Sequence, residues 1–335
     1  MMNKQKKVLV LGATGAMGQY LVPSLARMGY LVDAMSLDQV TTELPGVRYI
    51  QANAKDPAVI DRFLAERYDG IVDFMIYNTA ELPFALPKFL NGCTDHYIYL
   101  SSYRIYDNKE VPVKETSPRL LDTADDIILR NSDEYSIFKA RGENIVRTFP
   151  SDRWTIIRPA ITYSFRRYQL VTLEAPCTVG RAFAGKTAVL PEEARNVQGT
   201  MSWAGDVAEM ISRLLFNDKA RGEAFTVATA EHHTWGEIAD YYKEICNLKS
   251  VWVPMEDYNR IFNVVYPWQL VVDRLFTRIM DNSKVLAATG MKQENLKPLF
   301  DGLKYEIGRC PRDTVWTANQ DINRAMDDYI AAKGL

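Results

Sequence analysis

Tyr135 and Lys139 place a phenol and an ammonium four residues apart, in the run Tyr135-Ser136-Ile137-Phe138-Lys139. On a helix these positions share one face, one turn apart. Ser132 and Asp133, just upstream, are residue types that start helices. A nearby cation favours the phenolate, so Lys139 is expected to draw the Tyr135 pKa below its ordinary value of about 10. Such a tyrosine serves as general acid or base toward a hydroxyl or carbonyl. Taken alone, the spacing equally fits an ordinary exposed helix face.

A second group stands at Ser101-Ser102. The preceding run His96 to Leu100, HYIYL, alternates like a strand. A serine at the carboxyl end of a parallel strand faces the crevice where ligands bind in such sheets. There its hydroxyl polarises the oxygen that Tyr135 protonates. The plainer alternative is a serine that only satisfies backbone groups as the strand ends.

The third feature is Gly12-Ala13-Thr14-Gly15-Ala16-Met17-Gly18, placed after the apolar run Val8 to Leu11 and before a helix-like segment, Gln19 to Met28. A tight strand-to-helix turn needs residues without a Cβ, and a pyrophosphate must approach backbone N–H groups closely. Dinucleotide binding is favoured over a plain turn because of the flanking elements. The residue that selects between NAD and NADP is expected near the end of the second strand, Met35-Ser36-Leu37-Asp38, where an acid binds the ribose hydroxyls and an arginine accepts a 2′-phosphate. Ser36 holds the position of the expected acid and Asp38 follows two residues later, with no arginine before Arg48. That leans toward NAD and leaves NADP open.

These groups need a scaffold. Further runs at Leu31–Met35, Val47–Ile50, Ile71–Ile76 and Trp154–Ile157 read as strands, with Pro57–Arg67 a helix between two of them. Pro23 lies inside the first helix and requires a kink or an early position. Strands alternating with helices imply an α/β fold, a Rossmann-type doubly wound parallel sheet. Residues 1–164 form this dinucleotide-binding domain, and 201–230 return to it through a helix at Asp206–Phe216 and a strand at Phe225–Ala228. Residues 165–200, read as loop-rich, and 231–335, read as mostly helical, form a smaller substrate lobe.

Composition agrees with an ordinary globular chain: 47% hydrophobic, 24% charged, net charge −2. That balance gives no reason to expect a nucleic-acid partner or a membrane surface. Cys93, Cys177, Cys246 and Cys310 are scattered, so reduced, buried thiols in a cytoplasmic protein are expected, with neither metal nor disulfide. Residues 1–7, MMNKQKK, are basic, but the short apolar run that follows enters glycines and reads as a strand, not a signal peptide.

The ordered set of the glycine turn, Ser101-Ser102 before Tyr106, Tyr135 with Lys139, and Arg158-Pro159 resembles the extended short-chain dehydrogenase/reductases, the NAD-dependent epimerase/dehydratase group. Trp203-Ala-Gly-Asp206-Val-Ala and Asp281-Asn-Ser-Lys284 through Gly290 extend the resemblance over nearly the whole chain. It implies Gly12, Gly15 and Gly18 at the pyrophosphate, with Thr14, Ala16 and Met17 completing the turn. It implies Ser102 as catalytic serine, Tyr135 as acid/base, and Lys139 as the residue that holds the nicotinamide ribose and tunes that tyrosine. Asn53, with Ala54 beside it, falls where the group has an aspartate near the adenine. A homodimer through the helix carrying Tyr135 is also implied.

Three departures stand out. Ser102-Tyr103-Arg104 replaces the acidic run of the dehydratases, which disfavours dehydration. Gln198-Gly199-Thr200 replaces an arginine that meets the substrate diphosphate, which puts a nucleotide sugar in doubt. Phe74-Met75-Ile76-Tyr77-Asn78 is bulky where the group has small residues. Substitute cations are Arg166 and Arg167, and more weakly Arg274 and Arg278, for a small-molecule substrate bearing a phosphate or carboxylate. The first reading is an epimerase of a sugar or sugar derivative. A net reductase/dehydrogenase of a small carbonyl or alcohol is the second, and a non-catalytic nucleotide- or RNA-binding member the third.

Overall fold

Val8, Leu9, Val10 and Leu11 are wholly buried, as a strand with covered faces on both sides requires. The computed structural model describes residues 5–335; residues 1–4 of the basic opening segment lie outside them. This strand, β1 (Lys7–Leu11), is an interior strand of a seven-stranded parallel sheet. Its partners are β2 (Leu31–Ser36), β3 (Val47–Gln51), β4 (Tyr68–Asp73), β5 (Cys93–Leu100), β6 (Trp154–Ile157) and β7 (Glu223–Phe225). The order is β3-β2-β1-β4-β5-β6-β7. The direction of winding reverses between β1 and β4, which opens a crevice at the carboxyl ends of those strands.

Helices cover both faces. On one, α1 (Gly18–Arg27) packs on a helix formed by Ala204–Leu214; on the other lie Leu82–Gly92 and the helix Tyr135–Arg147. Pro23 is inside α1, beyond its first turn, so one helical hydrogen bond is forgone there. The segment after Trp203 does return to the sheet through its helix and β7, as the sequence indicates.

The second lobe departs from the expectation of loops followed by helices. Thr187–Pro191 and Lys249–Val253 are strands that pair in parallel, 62 residues apart in register. The first of them, TAVLP, is short and bounded by glycine and acidic residues, so its apolar run is hard to tell from loop. Ile161–Tyr163 pairs with Met201–Trp203, and this ladder links the lobe to the end of the main sheet.

The helix Tyr135–Arg147 turns its apolar residues inward. Ile137, Phe138 and Val146 are buried within this chain and Ile145 is partly so. Those side chains are therefore core and not free surface for a second copy. Gly142 lies on the same helix, where an added Cβ would overlap the Tyr99 hydroxyl on β5. Glycine there lets helix and strand approach closely, and this sets the distance between Lys139 and the end of β5.

Candidate active site

β1 ends at Leu11 and the chain turns back at once. Gly12 has φ +77°, a left-handed conformation that glycine adopts without steric cost. Its N–H and that of Ala13 both donate to Met35 O, at 3.0 Å each. The turn is thereby tied to the end of β2. A Cβ on Gly18 would stand 2.5 Å from Ala13 O, so only glycine permits this start to the helix. The amides of Ala16, Met17 and Gly18 donate to no protein acceptor among the described residues. They are a helix start left open for an anion.

The turn forms one end of a cleft of about 580 Å³ at the carboxyl edge of the sheet. Thr14, Gly15, Ala16, Met17, Ser36, Asp38, Asn53 and Ala54 all line it. Asp38 accepts a hydrogen bond from Thr14 Oγ1 at 2.6 Å, and Ser36 Oγ contacts the Asp38 backbone. Asp38 is thus fixed against the glycine turn and is not a free loop residue. Phe74, Met75 and Ile76 form the wall after β4, so the bulk noted in the sequence does shape the cleft.

Ser102 and Tyr135 line the opposite end. Ser102 is 5% exposed, and its Oγ accepts from Arg104 N at 3.1 Å. It therefore caps the 3-10 turn Tyr103–Ile105 as well as facing the cleft. A position facing the cleft and a hydrogen bond to the backbone are thus combined in this serine. Tyr135 opens its helix, whose N-cap Glu134 accepts from Ser136 N at 2.6 Å.

Lys139 is placed differently from the expectation. It is 1% exposed and is not part of the cleft lining. Its Nζ donates to Leu100 O at 2.7 Å and to Met75 O at 3.4 Å, and lies 5.7 Å from the centre of the Tyr135 ring. Burial pushes the ammonium down to about 8, while the nearby Asp73 carboxylate draws it back up. Asp73, on β4, is itself raised by burial and is held by the hydroxyls of Tyr97, at 2.8 Å, and Tyr77. The sequence reading missed this buried acid, because a single aspartate ending a strand carries no spacing signal.

Tyr135 also differs from expectation. Its pKa is raised, not lowered, because burial outweighs the charges around it. The cations that pull it down are Arg104 and then Arg167, with help from the Ser102 hydroxyl. The Arg104 guanidinium sits over the Tyr135 ring, 5.0 Å from its centre. No motif flagged this arginine as part of the site.

The four arginines singled out in the sequence divide. Arg167 and Arg274 line the cleft. Arg166 does not; it is exposed and its guanidinium packs over Phe165. Arg278 does not either; it is 2% exposed, buried behind the cleft with Nη2 donating to Tyr106 O at 2.9 Å. Residue type suggested all four, but one is turned out by a left-handed backbone at φ 61° and the other is enclosed by the lobe.

Among the described residues no group of three or more metal-ligating side chains occurs, and all four cysteines are free and buried. No helix among them is long and apolar enough to cross a membrane.

A parallel sheet in this order, a glycine turn at its switch point, and a serine and tyrosine facing one cleft define a dinucleotide-binding fold of the short-chain dehydrogenase type. The sequence pattern of the NAD dependent epimerase/dehydratase family matches residues 8–228, and the chain belongs to this family of NAD(P)-dependent enzymes. Among solved structures, an epimerase from Methanothermobacter thermautotrophicus superposes with a TM-score of 0.69 at 16% identity, covering 91% of each chain. The UDP-glucose 4-epimerase of Thermus thermophilus, complexed with NAD, gives 0.66 at 17% identity, over 90% of this chain and 98% of that one. The UDP-glucuronic acid 4-epimerase of Bacillus cereus gives 0.67 at 15%, over 90% and 98%. At such identities the likeness is one of fold.

Two characterised proteins are similar in sequence. The mitochondrial NADH-ubiquinone oxidoreductase 40 kDa subunit of Neurospora crassa is 23% identical over 253 residues, 69% of this chain and 58% of that protein. The chloroplast stem-loop binding protein of 41 kDa b of Arabidopsis thaliana is 24% identical over 258 residues, 71% and 62%. The match therefore spans less than two thirds of either relative.

The residues present fit NAD. The open amides of the turn suit a pyrophosphate, and the Asp38 carboxylate suits ribose hydroxyls better than a 2′-phosphate.

Proposed function

We propose that the chain is an NAD-dependent epimerase of a sugar or sugar derivative, with Tyr135 as acid/base. One observation carries the reading: a single cleft joins the glycine turn and Asp38 to Ser102 and Tyr135. NAD, when bound, supplies reversible hydride exchange at a carbinol carbon. Tyr135 takes the hydroxyl proton of that carbinol and later returns it. Ser102 keeps its proton and donates a hydrogen bond to the oxygen as it becomes a carbonyl. Lys139 keeps positive charge beneath the tyrosine, and the bulky wall at Phe74–Ile76 narrows the space in which water competes.

The catalytic trio serves a net oxidoreductase equally well. The similarity to a subunit of NADH-ubiquinone oxidoreductase keeps that second reading in view. A binding protein without turnover is disfavoured, since Ser102 and Tyr135 both face the cleft, and the net charge of −2 suits RNA poorly.

Incubation with candidate sugars while following reduced-nicotinamide absorbance discriminates. An epimerase interconverts two stereoisomers with no stoichiometric accumulation of reduced cofactor. Stoichiometric reduction without a second substrate favours the oxidoreductase. Tyr135→Phe is expected to lower turnover by about 10²–10⁴ with NAD affinity nearly intact; unchanged turnover in that variant sinks the assignment.

A further inference from the structure

We propose that Arg104 reads an acidic group, carboxylate or phosphate, carried on the substrate beside the reacting carbon. The proposal rests on Tyr135 marking where that carbon sits. Arg104 is two residues past Ser102, on the 3-10 turn, and lines the cleft. Its side chain is only 13% exposed. Nη2 donates to Glu134 Oε1 at 2.5 Å, and Nε lies 3.2 Å from Asp273 Oδ2. Glu134 is the hydrogen-bonded carboxylate and Asp273 a second charge close by, while Nε itself has no hydrogen-bond partner. Nη1 donates to no acceptor among the described residues.

The surroundings are short of negative charge. Asp273 is wholly buried and faces three arginines: Arg104, Arg274 and Arg278. Arg274 uses Nε on Val171 O, at 2.6 Å, and Nη1 on Tyr103 Oη, at 2.9 Å, as well as on Asp273. Its Nη2 is without a partner among the described residues, and the residue lines the same cleft. Arg167 lines it too, and its guanidinium pairs with no carboxylate among the described residues. Buried Arg278 has neither Nε nor Nη1 hydrogen-bonded, and its pKa is pushed down by burial and further by Arg104.

Four guanidinium groups therefore meet three carboxylates, those of Glu134, Asp273 and the cleft-lining Glu174. The cluster as a whole is left with one positive charge over; Arg104, Arg167 and Arg274 line the cleft, and Arg278 stands behind them. Buried charge without a partner is costly, and an acidic substituent supplies the missing one. Asp273 lies in a kinked turn, Leu270–Arg274, where Val272 at φ −105°, ψ 17° leaves helical geometry. It acts as a positioning residue for the arginines.

The test uses the NAD-loaded protein and matched probes: D-glucuronate and D-glucose 6-phosphate against D-glucose, and UDP-glucuronate against UDP-glucose. Binding is followed by ligand-observed NMR and calorimetry. In at least one pair the acidic member is expected to bind about tenfold or more tighter, the scale of one charge-assisted hydrogen bond. The arm that responds tells carboxylate from phosphate. Arg104→Gln is expected to bring that ratio close to one, and Arg104→Lys to keep part of it. If Arg104→Gln does not fold, Arg167→Gln, which breaks no ion pair, is expected to lower the ratio. No acidic preference in any pair overturns the proposal, as does a preference that survives in Arg104→Gln. Tyr135→Phe keeps the preference whether or not that tyrosine is the acid/base, so the two readings fail separately.

Discussion

The ammonium of Lys139 is hydrogen-bonded to the carbonyl of Leu100 at 2.7 Å, on the strand that ends in Ser101 and Ser102. The lysine therefore ties the helix carrying Tyr135 to the end of that strand, with its Nζ 5.7 Å from the centre of the Tyr135 ring. Gly142 makes this contact possible by letting helix and strand approach. Lys139→Met should lower turnover by about 10²-fold or more. Since burial pushes the ammonium down to about 8, wild-type turnover should decline as pH rises through that value and the charge is lost. A pH–rate profile of kcat that stays flat to pH 9 would remove Lys139 from the reaction.

Gly18→Ala tests the turn. The added Cβ meets Ala13 O at 2.5 Å, a backbone atom that cannot swing aside. Relief must come from opening the loop whose amides face the cleft. NAD affinity should fall at least about tenfold, with a stability loss of about 1–3 kcal/mol. Calorimetric titration with NAD measures the first. Affinity equal to wild type would mean that the pyrophosphate does not rest on this turn.

The scaffold was readable because its signals are local. Val8 to Leu11, the glycine turn and HYIYL each announce themselves by composition, and alternation of strand and helix then dictates a parallel sheet. Ser102, Tyr135 and the glycines could be placed because each sits at the end of such an element. Arg104, Glu134 and Asp273 could not, because they meet only through the tertiary fold: Arg104 and Asp273 are 169 positions apart and pair at 3.2 Å. Charge type alone also misled, since Arg166 and Arg278 have the right chemistry and face away from the cleft. The tyrosine pKa was misjudged for a related reason. Spacing reveals a neighbouring cation, whereas the burial that outweighs it is a property of the packed lobe.

We propose that cofactor choice depends on Asp38, which accepts from Thr14 Oγ1 at 2.6 Å and lines the cleft. A carboxylate there repels a 2′-phosphate and accepts from ribose hydroxyls. Asp38→Arg should move the preference from NAD toward NADP, with the ratio of the two affinities changing by about tenfold or more. Competitive binding of the two dinucleotides to the purified variant measures it. A ratio unchanged from wild type would show that the ribose lies elsewhere.

Arg158, the first residue of the Arg158-Pro159 pair, does not reach the cleft. It forms a two-pronged ion pair with Glu143, Nε to Oε1 and Nη2 to Oε2, both at 2.7 Å, with each side chain 2% exposed or less. Its Nη1 also donates to Tyr106 Oη at 2.7 Å, so helix, β6 and the serine turn are joined at one point. Arg158→Met would leave Glu143 buried with only Arg119, at 3.5 Å, to offset its charge, and should cost about 3 kcal/mol. Glu143→Gln leaves the Arg158 guanidinium buried without a carboxylate and should cost a similar amount, offset in part because the amide oxygen still accepts one hydrogen bond. The pH dependence follows from the same pair. Despite burial, Arg158 holds the Glu143 carboxyl below its ordinary value. That stability is fully present above the unfolded-state pKa of about 4.3 and is lost as pH falls through the lower folded value. Denaturant unfolding between pH 7 and pH 3 should therefore show wild type losing more stability than Glu143→Gln. Parallel losses in the two proteins would show that the pair does not set acid stability.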